Sequence, residues 1–145
     1  MGVALVWPRK ARFGLAHVLL PASASATVTE ASDGPRFADT AVDWLLRKLR
    51  VPDEQKRELV AYIAGGASMF SGGQGALRVG AQNEAAVRAS LREARIRLKG
   101  AEAGGEQGRQ MIVHGPLQAI FVVRHERDEP TRWDMPLGFG RDASS

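Results

Sequence analysis

Cysteine is absent from the 145 residues, which excludes a disulfide framework, a thiolate metal site and any thiol nucleophile within them. Aromatic residues are sparse, at 6%, and 20 Lys and Arg stand against 16 Asp and Glu for a formal net charge of +4. Basic residues scattered among acids with few aromatics between them give no nucleic-acid surface. No apolar run approaches the roughly 20 residues of a membrane span, so no membrane insertion is expected. The opening Met1–Trp7 is too short for a signal-peptide core before it meets Pro8, Arg9 and Lys10, and a cytoplasmic location is the expectation. Val6 stands where a myristoylation motif begun at Met1-Gly2 needs Ser or Thr. Three histidines, His17, His114 and His125, lie far apart and have no close acid or His partner. Neither a metal nor another cofactor is therefore expected.

What is present reads as one domain, long enough to bury roughly two thirds of its unfolded surface. Val3–Val6 is a β-branched, apolar strand stopped by Trp7-Pro8, and Arg12–Leu20 returns as its hairpin partner. Pro21–Pro35 turns to Ala, Ser, Thr, Gly and Pro without periodicity, a long surface loop. Helical spacing of Ala38, Ala41, Val42, Leu45, Leu46 and Leu49 predicts a helix over Arg36–Arg50, ended by Val51-Pro52. After a charged linker, Asp53–Glu58, the run Leu59–Ile63 is a strand that leads into Gly65-Gly66, where positive φ or a close backbone approach is expected. Ser71–Gly75 reads as an exposed loop. Asn83 is predicted to cap a helix to about Ala94, with Ala86, Val87, Ser90, Leu91 and Ala94 facing inward.

Ile96–Ala103 is the next strand, Gly104-Gly105 breaks it, and Arg109–Val113 with Leu117–Arg124 forms a hairpin across His114-Gly115-Pro116. Residues 1–125 form the domain. Glu126–Ser145, charged and containing Pro and Gly, reads as a loosely attached tail from which Trp133, Met135, Leu137 and Phe139 can dock. Two helices cannot cover both faces of about six strands. The predicted fold is accordingly α/β, a layered sandwich of mixed sheets with the two main helices outside.

His17 is the ionisable group in the apolar stretch Gly14–Pro21. A strand there puts it on one face with Leu15 and Leu19, in a run apolar enough to be buried on both faces, where an imidazole must be hydrogen-bonded or used. Asp39 and Asn83 are read as first-turn or capping residues, and His114 and His125 as hairpin and tail residues.

Five blocks carry a resemblance: Ala16–Pro21, Arg36–Val42, Ile63–Phe70, Val79–Asn83 and Gly104–Arg109. In this order and at these spacings they resemble the chemoreceptor glutamine deamidase family, CheD, over about Gly2–Arg124. The resemblance implies a layered α/β fold related to bacterial toxin deamidases. It also implies a Cys-His site in which the thiolate attacks a receptor glutamine's amide carbon and the histidine carries the proton that lets ammonia leave. His17 takes the place of that catalytic histidine, and Gly65, Gly66 and Ser68 are candidates for lining the substrate groove. The implied partners are chemoreceptor cytoplasmic helices and a CheC-type phosphatase, which a non-catalytic binding module could also recognise.

The family's nucleophile lies in a Gly-Ser-Cys-Val type segment. Overlaying the blocks puts its Cys immediately ahead of Met1, with Met1 on the Val. The expectation is an N-terminally shortened deamidase, in which loss of a preceding strand exposes the Gly2–Val6 backbone. Ser23, Ser25 and Ser68 are poor substitutes, since a hydroxyl is far less ionised than a thiol.

Overall fold

A computed structural model describes residues 1–22, 34–67, 74–125 and 129–138, with the backbone alone for 74–78. Ser23, Ser25, Ser68 and Phe139, and most of the predicted 21–35 and 71–75 loops, lie outside the described residues. Strands β1 (Gly2–Trp7), β2 (Arg12–His17), β3 (Val60–Gly65) and β4 (Arg97–Ala103) form one sheet in the order β2-β1-β3-β4. Strands β5 (Arg109–His114), β6 (Ala119–Arg124) and β7 (Thr131–Asp134) form a second, antiparallel sheet in chain order. Helices α1 (Ala41–Lys48) and α2 (Gln74–Glu93) lie on the first sheet's other face.

The alternation of β1 explains the layering. Val3, Leu5 and Trp7 point to the helices, where they pack with Ala61, Ile63, Leu45, Val87 and Leu91. Ala4 and Val6 point the other way, with Val60 and Tyr62, onto Ile120 and Met135 of the second sheet. A strand buried on both faces needs apolar residues at successive positions, and Val3–Val6 supplies them, each at 0% exposure. The layered α/β arrangement is the one the sequence predicts.

The Gly2–Val6 backbone is covered: β1 pairs with β2 on one side and β3 on the other, so the expectation of an exposed β1 edge is overturned. The edges of this sheet are β2 and β4 instead. Ala16 and Val18 are buried, but Phe13, Leu15 and Leu19 are 36%, 43% and 44% exposed. The predicted two-sided burial of this strand fails, and His17 itself is exposed: the β5–β6 turn reaches Phe13 at Gly115, but a cleft opens between Leu15 and Met111.

Helix α1 begins five residues later than predicted. The Arg36 carbonyl accepts from Leu19 and Leu20 N–H, and Ala38 N–H donates to the Leu20 carbonyl, so this backbone is committed to an extended neighbour. Helix α2 begins earlier than predicted, at Gln74, which puts Asn83 in mid-helix and rules out its capping role. The inward stripe of Val87 and Leu91 is as expected. Its length is explained by the crossover it spans, since β3 and β4 are parallel and joined through α2.

Part of the predicted tail belongs to the sheet. Thr131–Asp134 pairs with β6, the Trp133 ring lies 5.5 Å from that of Tyr62, and Met135 is buried. The Tyr62 hydroxyl donates to the Asp134 carbonyl at 3.4 Å.

Candidate functional site

The β1–β2 ladder runs to the first residue. Met1 nitrogen donates to the Val18 carbonyl at 2.8 Å, and Val18 N–H donates to the Met1 carbonyl at 2.8 Å. His17 pairs with Gly2 in the same register. This puts the imidazole at the end of the edge strand, in the wall of a cavity of about 490 Å³ that also has Gly65, Gly66, Gly80, Asn83 and Arg109 in its walls. A second cavity, about 260 Å³, shares Met1, His17, Gly65 and Arg109 and opens toward Leu15 and Met111. His17 therefore stands where two depressions meet at the end of the sheet.

Glycine lets three chain segments crowd this point. Gly65 has φ +116° and Gly66 φ +70°, both costly for any other residue. A Cβ on Gly65 would lie 2.9 Å from Met1 Cα, and one on Gly66 3.0 Å from the Gly80 carbonyl oxygen. Both the positive φ and the close approach expected of this pair are present. Ser68, the third substrate-groove candidate, lies outside the described residues.

Partial burial lowers the His17 pKa below its usual 6.5, and the positive Met1 nitrogen lowers it further. A shift in this direction favours the neutral, proton-accepting form that a general base needs near pH 7. His114 has a turn role, its Nδ1 accepting from Leu117 N–H at 3.1 Å. His125 is exposed beyond β6. Among the described residues no cluster of three metal-ligating side chains occurs, and no helix is long and apolar enough to cross a membrane.

Two polar residues of the cavity were not read as site residues in the sequence. Asn83, 4% exposed, donates from Nδ2 to the Leu19 carbonyl at 3.2 Å. Arg109 is held by the Gly104 carbonyl at 2.6 Å and by Glu102 at 3.4 Å, and Glu102 also accepts from Arg124. Burial raises the Glu102 pKa, but hydrogen bonds from Arg124 and Thr131 and the charges of Arg124 and Arg109 outweigh it and leave the carboxyl below its usual 4.5. The signal for both residues was available, because Asn83 ends one of the five blocks and Arg109 ends another. Asp39, in a third block, is exposed and lines a separate groove between the helices.

A model of the CheD family, described as CheD chemotactic sensory transduction, matches residues 19–123. The chain belongs to the CheD family. The match to the CheD model takes in Gly65, Gly66, Gly80, Asn83 and Arg109, and His17 stands two residues ahead of it. Among CheD relatives, the chain is 39% identical over 115 residues to a probable chemoreceptor glutamine deamidase CheD of Clostridium botulinum strain Eklund 17B, covering 78% of this chain and 70% of that protein. It is 39% identical over 124 residues to the chemoreceptor glutamine deamidase CheD of Halalkalibacterium halodurans, covering 84% and 76%. A probable CheD of Archaeoglobus fulgidus is 36% identical over 110 residues, covering 75% and 68%.

Proposed function

We propose that the His17 cavity is the site of a cytoplasmic protein-glutamine deamidase acting on the helical signalling part of chemoreceptors. The observation that carries this reading is an imidazole at the junction of two cavities, one with room for a glutamine side chain. In the reaction a thiolate adds to the amide carbon, and the imidazole, having taken the thiol proton, gives it to the nitrogen so that ammonia leaves. Water then cleaves the thioester to glutamate and regenerates the thiol. Net consumption is one water per amide. Each turnover adds one negative charge to the receptor.

Residues 1–145 carry no thiol. The strand register supports a position for one: a residue joined ahead of Met1 would fall opposite Leu19, on the face that bears Gly2 and His17. A Cys there would share a sheet face with the imidazole, one pleat away. A second reading is a non-catalytic module that binds receptor helices or a CheC-type phosphatase.

The test uses two chains, this one and the same chain extended by Gly-Ser-Cys ahead of residue 1, each incubated with a receptor cytoplasmic fragment. Ammonia release from the extended chain alone supports the deamidase reading. No ammonia from either, with both binding the fragment, favours the binding module.

A further inference from the structure

The two edges of the first sheet are unlike. On β4 the charged side chains of Arg97 and Lys99 are exposed, a common protection against pairing with another strand. On β2 the stretch Phe13–His17 holds no Lys, Arg, Asp, Glu or Pro, and its pairing with β1 has no bulge. Hydrogen-bonded pairs alternate along an antiparallel ladder, and the reciprocal Met1–Val18 bonds fix the phase, so that Val3–Ala16, Leu5–Gly14 and Trp7–Arg12 are the bonded pairs. The N–H and C=O groups of Phe13, Leu15 and His17 therefore point off the sheet, and no described residue takes them up. This open stretch has defined ends. Ala11, at φ +49°, turns the chain away ahead of it, and beyond it the Arg36 carbonyl accepts from Leu19 and Leu20 N–H.

Apolar surface collects at the same place. Among the described residues the exposed large hydrophobic side chains are Phe13, Leu15, Leu19, Leu20, Ile112 and Leu117, at 36–52% exposure. The first four lie along β2 and its continuation, the last two on the β5–β6 hairpin, whose turn meets Phe13 at Gly115. Together they present on the order of 500 Å² of apolar surface per copy of the chain. Two copies, with their paired backbones added, reach the total of about 1,200 Å² at which specific interfaces begin.

We propose that β2 pairs edge to edge with β2 of a second copy of this chain, antiparallel about a two-fold axis at Leu15, joining the two four-stranded sheets into one. This register sets Leu15 against the partner's Leu15 and Phe13 against the partner's His17. Every open group is used, for about six backbone hydrogen bonds. An axis at Gly14 engages Phe13 and Leu15 alone. The two Arg12 side chains fall at opposite ends of the paired stretch, roughly 20 Å apart and screened from each other at physiological salt. Each copy thereby adds its Phe13 to the surroundings of the other's imidazole.

Sedimentation equilibrium from about 10 μM to 1 mM, the range of a small interface, should show the mass passing from one chain to two. Over the same range the Phe13, Leu15 and His17 amides should exchange about threefold more slowly or better at the concentrated end. Leu15→Lys, at an exposed position, should weaken dimerisation by about tenfold or more and leave thermal unfolding in place. Because the chain has no cysteine, Leu15→Cys reports the register: oxidation should link two copies through it, whereas Arg97→Cys on the opposite edge stays unlinked. A single-chain mass throughout overturns the proposal and leaves the edge to a strand of some other protein. A dimer in which the three amides are not slowed, or which Leu15→Lys leaves intact, or in which Arg97→Cys links as readily, places the contact elsewhere and overturns it equally. The amide measurement needs no substitution, so it decides the matter even if a variant does not fold.

Discussion

A Cβ placed on Gly80 would stand 2.4 Å from the carbonyl oxygen of Gly66. The middle of α2 therefore rests on the backbone of the turn that ends β3, and no side chain can be interposed. Ala in place of Gly in a helix interior normally stabilises by about 1 kcal/mol. Here backbone meets backbone, with no flexible group to yield. Gly80→Ala is expected to destabilise by about 1–3 kcal/mol, read as a lower urea midpoint at unchanged slope. A stabilised variant would mean that α2 sits farther from the turn.

His17 makes stability depend on pH in a stated direction. Its folded pKa lies below the unfolded 6.5, so the unfolded chain binds the proton more readily. The contribution is complete above about 6.5 and declines as pH falls through that value toward the folded pKa. NMR titration of the ring should give a midpoint below 6.5, and His17→Gln should flatten this part of the stability curve. In the Cys-extended chain the same substitution is expected to lower ammonia release by about 10²–10⁴-fold, the usual share of a general base.

Glu102 sits between Arg109 and Arg124, with side chains 10–21% exposed. Its carboxyl pKa is lowered in the folded state, so its contribution is present above the unfolded 4.5 and is lost as pH falls through the folded value. Glu102→Gln should cost about 1–3 kcal/mol at pH 7, since two guanidinium groups lose a charged acceptor. The gap between variant and parent should close on acidification, measured by urea unfolding at a series of pH values. A gap independent of pH would assign the loss to shape alone.

Trp133 tests how firmly the end of the chain is attached. Its ring packs on Tyr62 and reaches within 2.9 Å of a Cβ built on Gly100. Trp133→Ala is expected to cost about 2–4 kcal/mol, toward the lower end for a large aromatic because the residue is only partly buried. Thermal unfolding unchanged by the substitution would restore the loose tail that composition predicts.

The parts of the fold that were legible from sequence are those in which one periodicity dominates. Val3–Val6 and the Ile96–Ala103 run read as strands and are strands, and the β5–β6 hairpin follows from its His-Gly-Pro turn. The errors arise where local signals oppose tertiary contacts. The Ser71–Gly75 loop reading and the expected cap at Asn83 hid the front of α2, where Gly80 is what lets the helix dock on Gly66. Arg36–Thr40 has helical spacing, yet its backbone bonds to Leu19 and Leu20 take precedence. His17 and the glycine pair stand out by chemistry and backbone freedom. Asn83 could not be placed in the cavity wall while it was read as a cap, because its role comes from a carbonyl 64 residues away.

The parallel join of β3 to β4 through α2 also bears on the order of assembly. The β1–β2 hairpin and the β5–β6–β7 meander connect neighbours in sequence and close short loops, whereas the β3–β4 pair must wait for a long connection to come round. Gly80 and Asn83 ride on that connection, so the pocket around His17 should be among the last features to acquire protected amides. Pulsed hydrogen exchange that found α2 protected ahead of both local units would reverse this sequence of events.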